Sequence, residues 1–231
     1  MADKPLVRFA RASMCATLVI LWTIPALVGA QPSRPPAPLT APASGATEEL
    51  SRFAQAWAGV TAYSATVTVF EQKGTQVQNV VFDYTFRKPA SATVHVASGP
   101  DAGVTLEWAG GETVVARRGT GFAALFRKTF GLHDPMATTI RGSSIDQLSF
   151  GAILARAQQG AGILSEEPGT AIDGVGVSAV TLIPSGPTTE VGLTREALDI
   201  STATNLPIRV LGFDGDTLVR KIEFTDVKLT E

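Results

Sequence analysis

From Tyr63 onward, apolar and polar residues alternate one by one. Tyr63, Ala65, Val67 and Val69 are separated by Ser64, Thr66 and Thr68. That pattern puts one apolar set on one face of a strand. Lys73-Gly74 can turn the chain. Val80, Phe82, Tyr84 and Phe86 then line one face of a second strand, with Asn79, Asp83, Thr85 and Arg87 on or near the other. Val94 and Val96 belong to a third strand, and Val104, Leu106 and Trp108 to a fourth. Gly110-Gly111 turns into a fifth over residues 113–116. This order predicts an antiparallel meander joined by tight turns.

A helical spacing precedes the meander. Thr47 can cap a helix, and Glu48 and Glu49 in its first turn would complement the dipole. Leu50, Phe53, Ala54 and Trp57 form its apolar face, and Gly59 can end it. Residues 119–160 interrupt the alternation. Phe122, Leu125, Phe126 and Phe130 gather in a Gly-bounded segment. Leu148, Phe150, Ile153, Leu154 and Ala157 predict a second helix over roughly residues 146–159. Strands resume near 175–183, 191–193 and 198–200. The last hairpin joins 208–213 to 218–227 through Asp214-Gly215-Asp216. Strands dominate, and sheet separates the two helices. The expected fold is α+β: a half-open antiparallel barrel, one curved sheet covered by a few lid helices.

The N-terminal pattern differs from both periods. Lys4, Arg8 and Arg11 precede an almost wholly apolar run from Cys15 to Val28, and Val28-Gly29-Ala30 offers small residues before Gln31. This is the layout of a secretory signal peptide cleaved after Ala30. The alternative is a retained membrane anchor, but the run of about 14 residues is short of the roughly 20 that span a bilayer. Residues 31–46 are rich in Pro, Ala and Ser and read as an extended linker. The domain is expected over 47–231. Cys15, the one cysteine, lies in the leader, which leaves the exported part without a disulfide.

Composition narrows the function. Hydrophobic residues make up 45% of the chain and charged residues 17%, enough apolar material to fill a core. A net charge of −2 disfavours general nucleic-acid binding, which needs a basic face. No G-x-S-x-G elbow, H-E-x-x-H or P-loop is present. His95 and His133 are the two histidines, too few to build a structural zinc site without cysteine. His133-Asp134 could orient a general base, but no nucleophile accompanies it. Gly174-Val175-Gly176 opens a strand and not a helix, which removes most of its likeness to a dinucleotide loop. Asp214-Gly215-Asp216 reads as a hairpin turn without a calcium loop around it. No cofactor is expected.

What remains is a surplus of aromatic and aliphatic residues on one sheet face. Phe82, Tyr84, Phe86, Trp108, Leu211, Phe213, Ile222 and Phe224 either close a core or line a concavity that holds a ligand.

Three stretches resemble the periplasmic lipoprotein-carrier (LolA/LolB-like) proteins. The first is Val69-Phe70-Glu71-Gln72-Lys73-Gly74, followed by Val80 to Phe86 and Arg87-Lys88-Pro89. It is similar to the family's F-x-Q strand, turn, and strand ending in basic-basic-Pro. The second is Leu106-Glu107-Trp108-Ala109-Gly110-Gly111-Glu112-Thr113-Val114, similar to a strand–DG–strand hairpin with Gly110 in place of Asp. The third comprises Leu198-Asp199-Ile200-Ser201, Asn205-Leu206-Pro207 and the closing Phe224-Thr225-Asp226-Val227-Lys228-Leu229. The resemblance implies a non-enzymatic periplasmic carrier or binder of acylated lipoprotein or lipid in a hydrophobic cavity. It implies an inner- or outer-membrane transport partner. Phe82, Tyr84, Phe86, Trp108 and Phe126 would line the cavity. In the family an Arg before the Pro holds the lid by bonds to helix carbonyls. Here that position is Lys88, with Arg87 one residue earlier, and Lys lacks the planar fork of Arg. The alternative function on the same fold is an envelope sensor or protein-interaction module with a closed, dry interior.

Overall fold

The computed structural model describes residues 44–119, 127–160, 162–184 and 192–230. The expected leader and most of the linker lie outside these residues, as do Phe122, Leu125 and Phe126.

Helix α1 (Ser44–Gly59) opens the described chain. It begins three residues before Thr47, so Thr47 lies inside the helix and does not cap it. Leu50 and Phe53 are buried on one of its faces. Strands β1 (Ala62–Lys73), β2 (Gln76–Arg87), β3 (Ser91–Ser98), β4 (Val104–Trp108), β5 (Thr113–Arg118) and β6 (Arg127–Gly131) then pair antiparallel in sequence order. In β1 every second residue from Tyr63 to Glu71 is buried. In β2 the buried set is Val80, Phe82, Tyr84 and Phe86. The hairpin between β1 and β2 needs a residue of positive φ, and Gly74 (φ +59°) supplies it without a Cβ penalty.

A crossing segment follows. Residues 132–144 run as turns, a 3-10 helix covers Ile145–Leu148, and helix α2 occupies Phe150–Gln159. The single helix expected over 146–159 is thus broken at Ser149. That residue sits in extended conformation and its side chain accepts from the Ala152 N–H, a helix cap. Strands β7 (Gly162–Pro168), β8 (Val177–Ile183), β9 (Arg195–Ser201), β10 (Pro207–Asp214) and β11 (Thr217–Thr230) then meander back, and β11 pairs with β1.

The result is one sheet of eleven strands in the order β6-β5-β4-β3-β2-β1-β11-β10-β9-β8-β7, all pairs antiparallel. The two edge strands, β6 and β7, are not paired with each other, so the sheet stays open. The open, curved sheet with lid helices is the expected fold class. Two of its strands were not expected. β6 shows only Phe130 partly buried, and β7 is an acidic edge strand, so neither carries a legible alternation. The expected strand at 191–193 is absent over its described residues. Gly192 and Leu193 lie in a turn, with Leu193 buried beside Val219.

One continuous core joins the inner sheet face to α1, the crossing segment and α2. Its centre is aromatic. Tyr63 and Phe150 stack at 4.3 Å, and Phe150 meets Phe224 edge-on at 5.1 Å. Trp57 packs on Tyr63, Phe86 and Phe150 at 5.7–6.2 Å between ring centres. Gly151 makes this approach possible: a Cβ there would stand 3.0 Å from Trp57 Nε1. Each large ring so buried stabilises the fold by roughly 1.5–3 kcal/mol.

β10 corrects the expected lining. Val210 faces the core, and Leu211 and Phe213 turn outward. Phe213 there lies 4.1 Å below the Arg195 guanidinium. Gly212 takes an inward position, with Arg220 and Glu196 as its register partners.

Candidate functional site

The inner face of β2–β6 and the crossing segment enclose a cavity of about 500 Å³. Its floor is Val80 and Phe82 of β2, Val94 and Val96 of β3, and Leu106 of β4. Its roof is residues 135–148, here termed the strap, chiefly Met136, Ala137, Ile140, Ile145 and Leu148. A volume of this order is that of a small-molecule site. Ala116 and Phe130 complete the side wall.

The strap is held by both apolar and polar contacts. Ala137, Ile145 and Leu148 are buried. The Ile140 N–H donates to Gln78 Oε1 at 3.0 Å. The Arg141 N–H donates to Glu71 Oε2 at 2.9 Å, and Ser143 Oγ donates to Glu71 Oε1 at 2.7 Å. Glu71 is 0% exposed, and its register partner in β2 is Gln78. Two adjacent positions on β1 and β2 thus carry the polar anchorage of the strap. The Arg141 guanidinium adds bonds to the Gln72 and Gly192 carbonyls. Tyr84 Oη donates to the Ile145 carbonyl at 3.3 Å, and the Phe150 N–H donates to Tyr63 Oη at 3.2 Å. Burial pushes both phenols above their ordinary titration range.

Beside this anchorage, four strands bring charges together. Glu71, Arg220, Gly212 and Glu196 lie in neighbouring register on β1, β11, β10 and β9. Arg220 Nη2 stands 3.4 Å from Glu196 Oε2, and Arg156 of α2 donates to Glu196 Oε1 at 3.3 Å. Desolvation lowers the Arg220 pKa, opposed by Glu196. A Cβ at Gly212 would stand 2.9 Å from Leu193 Cδ1 and 3.2 Å from Arg220 Cβ, so the glycine lies where the buried Leu193 packs against β10. Periodicity alone did not reveal this cluster, but an acidic residue continuing an apolar face at Glu71 was its signal.

The residues singled out from the sequence divide among three places. Phe82 lines the cavity. Tyr84 is fully buried behind it, in the aromatic wall. Phe86 and Trp108 line a second cleft with Trp57, Lys88 and Gly151. Trp108 Nε1 donates to the Gly111 carbonyl at 2.9 Å. Phe126 lies outside the described residues. Lys88 Nζ donates to the Trp57 carbonyl at 2.6 Å and to the Ala58 carbonyl at 3.4 Å, and it stands 4.2 Å over the Trp57 ring. Carbonyls at a helix C-terminus lack intrahelical partners, and a cation is favoured there. Arg87 points to the exposed face.

The groups considered for chemistry are apart. Asp134 accepts from the Met136 N–H, forming a local turn, and His133 is exposed. His95 Nδ1 lies 3.1 Å from Thr105 Oγ1 on the outer face. Among the described residues no group of three or more His, Cys, Asp or Glu side chains is placed to hold a metal ion, and no helix is long and apolar enough to cross a membrane.

An open antiparallel sheet covered by two helices and a strap, with an apolar cavity beneath the strap, defines the class of fold and site. No family model matches the chain, and no curated protein sequence matches it significantly. Solved structures similar to it include a DUF1329 family protein from Desulfovibrio piger, at 12% identity and TM-score 0.47, covering 82% of this chain and 94% of that one. A putative outer membrane lipoprotein-sorting protein domain from Vibrio parahaemolyticus is 12% identical with TM-score 0.42, over 80% and 93% of the two chains. A LolA superfamily protein from Nitrosomonas europaea is 9% identical with TM-score 0.39, over 80% and 94%.

Proposed function

We propose that this protein is an exported, non-enzymatic binder or carrier of acyl chains, borne by a lipid or an acylated lipoprotein, in the cell envelope. The observation that carries the reading is the apolar cavity of about 500 Å³ beneath the strap. Acyl chains cost about 0.8 kcal/mol per methylene to leave in water, so a carrier must cover them. It must also release them, so in this reading the strap lifts from the floor without unfolding the sheet. Phe82 with Val94 and Leu106 forms the chain-contacting floor in this reading. Lys88 acts as the contact that keeps α1 closed over the aromatic wall, and Phe86 and Trp108 line the cleft beside it. The leader of residues 1–30 directs export to the periplasm and is removed after Ala30. Residues 31–43 are a tether ahead of α1, and a membrane-borne transport partner delivers or receives the cargo. The sequence resemblance and the leader support this assignment.

The test is uptake of a fluorescent acyl probe by the purified protein. Phe82→Asp should abolish uptake while keeping the far-UV circular dichroism, with the unfolding midpoint lowered by the loss of a buried ring. Unchanged uptake by a folded Phe82→Asp protein would remove the cavity as the binding site.

A further inference from the structure

We infer that the basic edge formed by β5 and β6 docks this protein onto an anionic lipid surface, with the mouth of the cavity beside it; the choice of a membrane rests on the reading of the cavity as an acyl-chain site. Residues 113–131 include Arg117, Arg118, Arg127 and Lys128 and no acidic residue, in a chain whose net charge is −2. Arg118, Arg127 and Lys128 are exposed, and among the described residues none of the three forms an ion pair. Arg117 is held by Glu107 of β4 at 2.5 Å.

The needs of the sheet do not explain these cations. Arg117 and Arg127 are direct register partners, and like charges directly opposite one another destabilise a strand pair. An exposed edge strand does need charge to repel unwanted pairing. β7, at the other edge, carries Glu166 and Glu167, so that need fixes neither the sign nor the number of charges. An anionic counterpart outside the chain accounts for both.

Two features select a lipid surface. The first is that the cations lie on both faces of the hairpin. Lys128 is the register partner of Ala116 and stands 4.7 Å over the Phe130 ring, and both of those residues line the cavity. Arg118 follows Ala116 by two positions, so it shares the cavity face, opposite the lining residue Val104. Arg117 and Arg127 take the outer face. A ligand lying on one face of the sheet meets half of the set, whereas a plane met edge-on is offered all four. The second feature is the mouth. Pro100, Pro135 and Met136 line the cavity and are exposed, Met136 at 71%. Asp101 beside Pro100 is acidic and Glu107 is engaged by Arg117, which leaves the edge net basic. An anionic bilayer complements this combination, with phosphates for the cations and hydrocarbon for the apolar mouth. Docked in this way, an acyl chain passes between bilayer and cavity without crossing water.

The protein, expressed with its own leader and purified from the envelope, would be floated with two kinds of vesicle. One is phosphatidylcholine alone, and in the other about a third of the lipid is phosphatidylglycerol. The expected result is binding at least about tenfold tighter to the anionic vesicles, lost at about 0.5 M salt. Arg127→Gln combined with Lys128→Gln should weaken that binding by about fivefold for each cation removed. Lys228→Gln, at an exposed position on β11 far across the sheet, should leave it unchanged. The salt series on the unaltered protein decides the matter if the double variant does not fold. Binding indifferent to phosphatidylglycerol or to salt, no binding at all, or an equal loss in Lys228→Gln overturns the inference. Capture by immobilised polyglutamate without binding to the anionic vesicles assigns the edge to an acidic protein and overturns the membrane assignment. Uptake of a fluorescent acyl probe from solution, measured on the same sample, separates the two readings. Uptake without vesicle binding removes the docking edge alone. Salt-sensitive binding to anionic vesicles without uptake removes the acyl-chain reading and leaves the edge standing.

Discussion

Glu71 shows how a single residue departs from its strand's pattern. It continues the inward set of β1 yet is a carboxylate, and it is fully buried. A buried charge is tolerated where it is paired and hydrogen-bonded. Glu71 takes two bonds from the strap and lies beside Arg220 in register. Glu71→Gln should therefore weaken the strap rather than the sheet. Loss of charge-assisted bonds of this kind costs about 1.5–3 kcal/mol, so hydrogen exchange of the Arg141 amide should accelerate by about tenfold or more. Unchanged protection there would show that apolar packing alone holds the strap. Arg220 poses a stricter test. Removing one member of a buried pair costs up to about 3–5 kcal/mol, less here because Arg156 still pairs Glu196. Arg220→Leu should lower the denaturant midpoint accordingly, and adding Glu196→Leu should recover part of the loss, because Arg156 keeps a bond to the Gln147 carbonyl. If the double variant is no more stable than the single, the cluster is not an ion-pair network. At this scale the sequence was legible where side chains follow the strand period, as at Phe82 and Tyr84. It was not legible in β10, where Val210, Leu211 and Phe213 are all apolar and the inward position between the last two is Gly212, packed under Leu193.

At the scale of elements, the hinge of interest is the join between α1 and the sheet. Lys88 holds the last carbonyls of α1 and covers the Trp57 ring. Lys88→Ala should loosen the C-terminal turn of α1, seen as faster exchange of its amides, with a stability change of about 1 kcal/mol for a partly exposed contact. Lys88→Arg should restore protection, since a guanidinium can donate to the same carbonyls. An alanine variant with unaltered exchange would show that Trp57 packing, and not the cation, fixes the helix. The first five strands and the last hairpin were legible because each shows alternation bounded by a turn. β6 and β7 were hidden because they are edge strands whose sequences, Arg-Lys-Thr-Phe-Gly and Gly-Ile-Leu-Ser-Glu-Glu-Pro, show no alternation. The break in the second helix turned on one capping serine inside an otherwise continuous apolar spacing.

For the whole molecule, the arrangement of one long sheet folded around a strap explains how a domain can be stable and still hold space. In the β7–β11 half α1 and α2 pack on the sheet and a cleft of about 420 Å³ lies beside Phe150, Leu206 and Phe224, while the β2–β6 half is roofed by the strap and keeps its own cavity. The sequence pointed to an apolar concavity, but it could not say whether that space was filled. Filling depends on how side chains from distant elements meet, and no period along the chain encodes it. Of the expected lining among the described residues, Phe82 reaches the cavity. Phe86 and Trp108 fall at the other end of the same strands, beside Lys88.

Native mass spectrometry of the protein isolated from the envelope, without added lipid, tests the central claim most directly. A mass increment matching bound acyl lipid, absent from a folded Val94→Asp variant, is the predicted result. Protein that carries no such increment, and that gains none when acyl amphiphiles are supplied, would contradict the account.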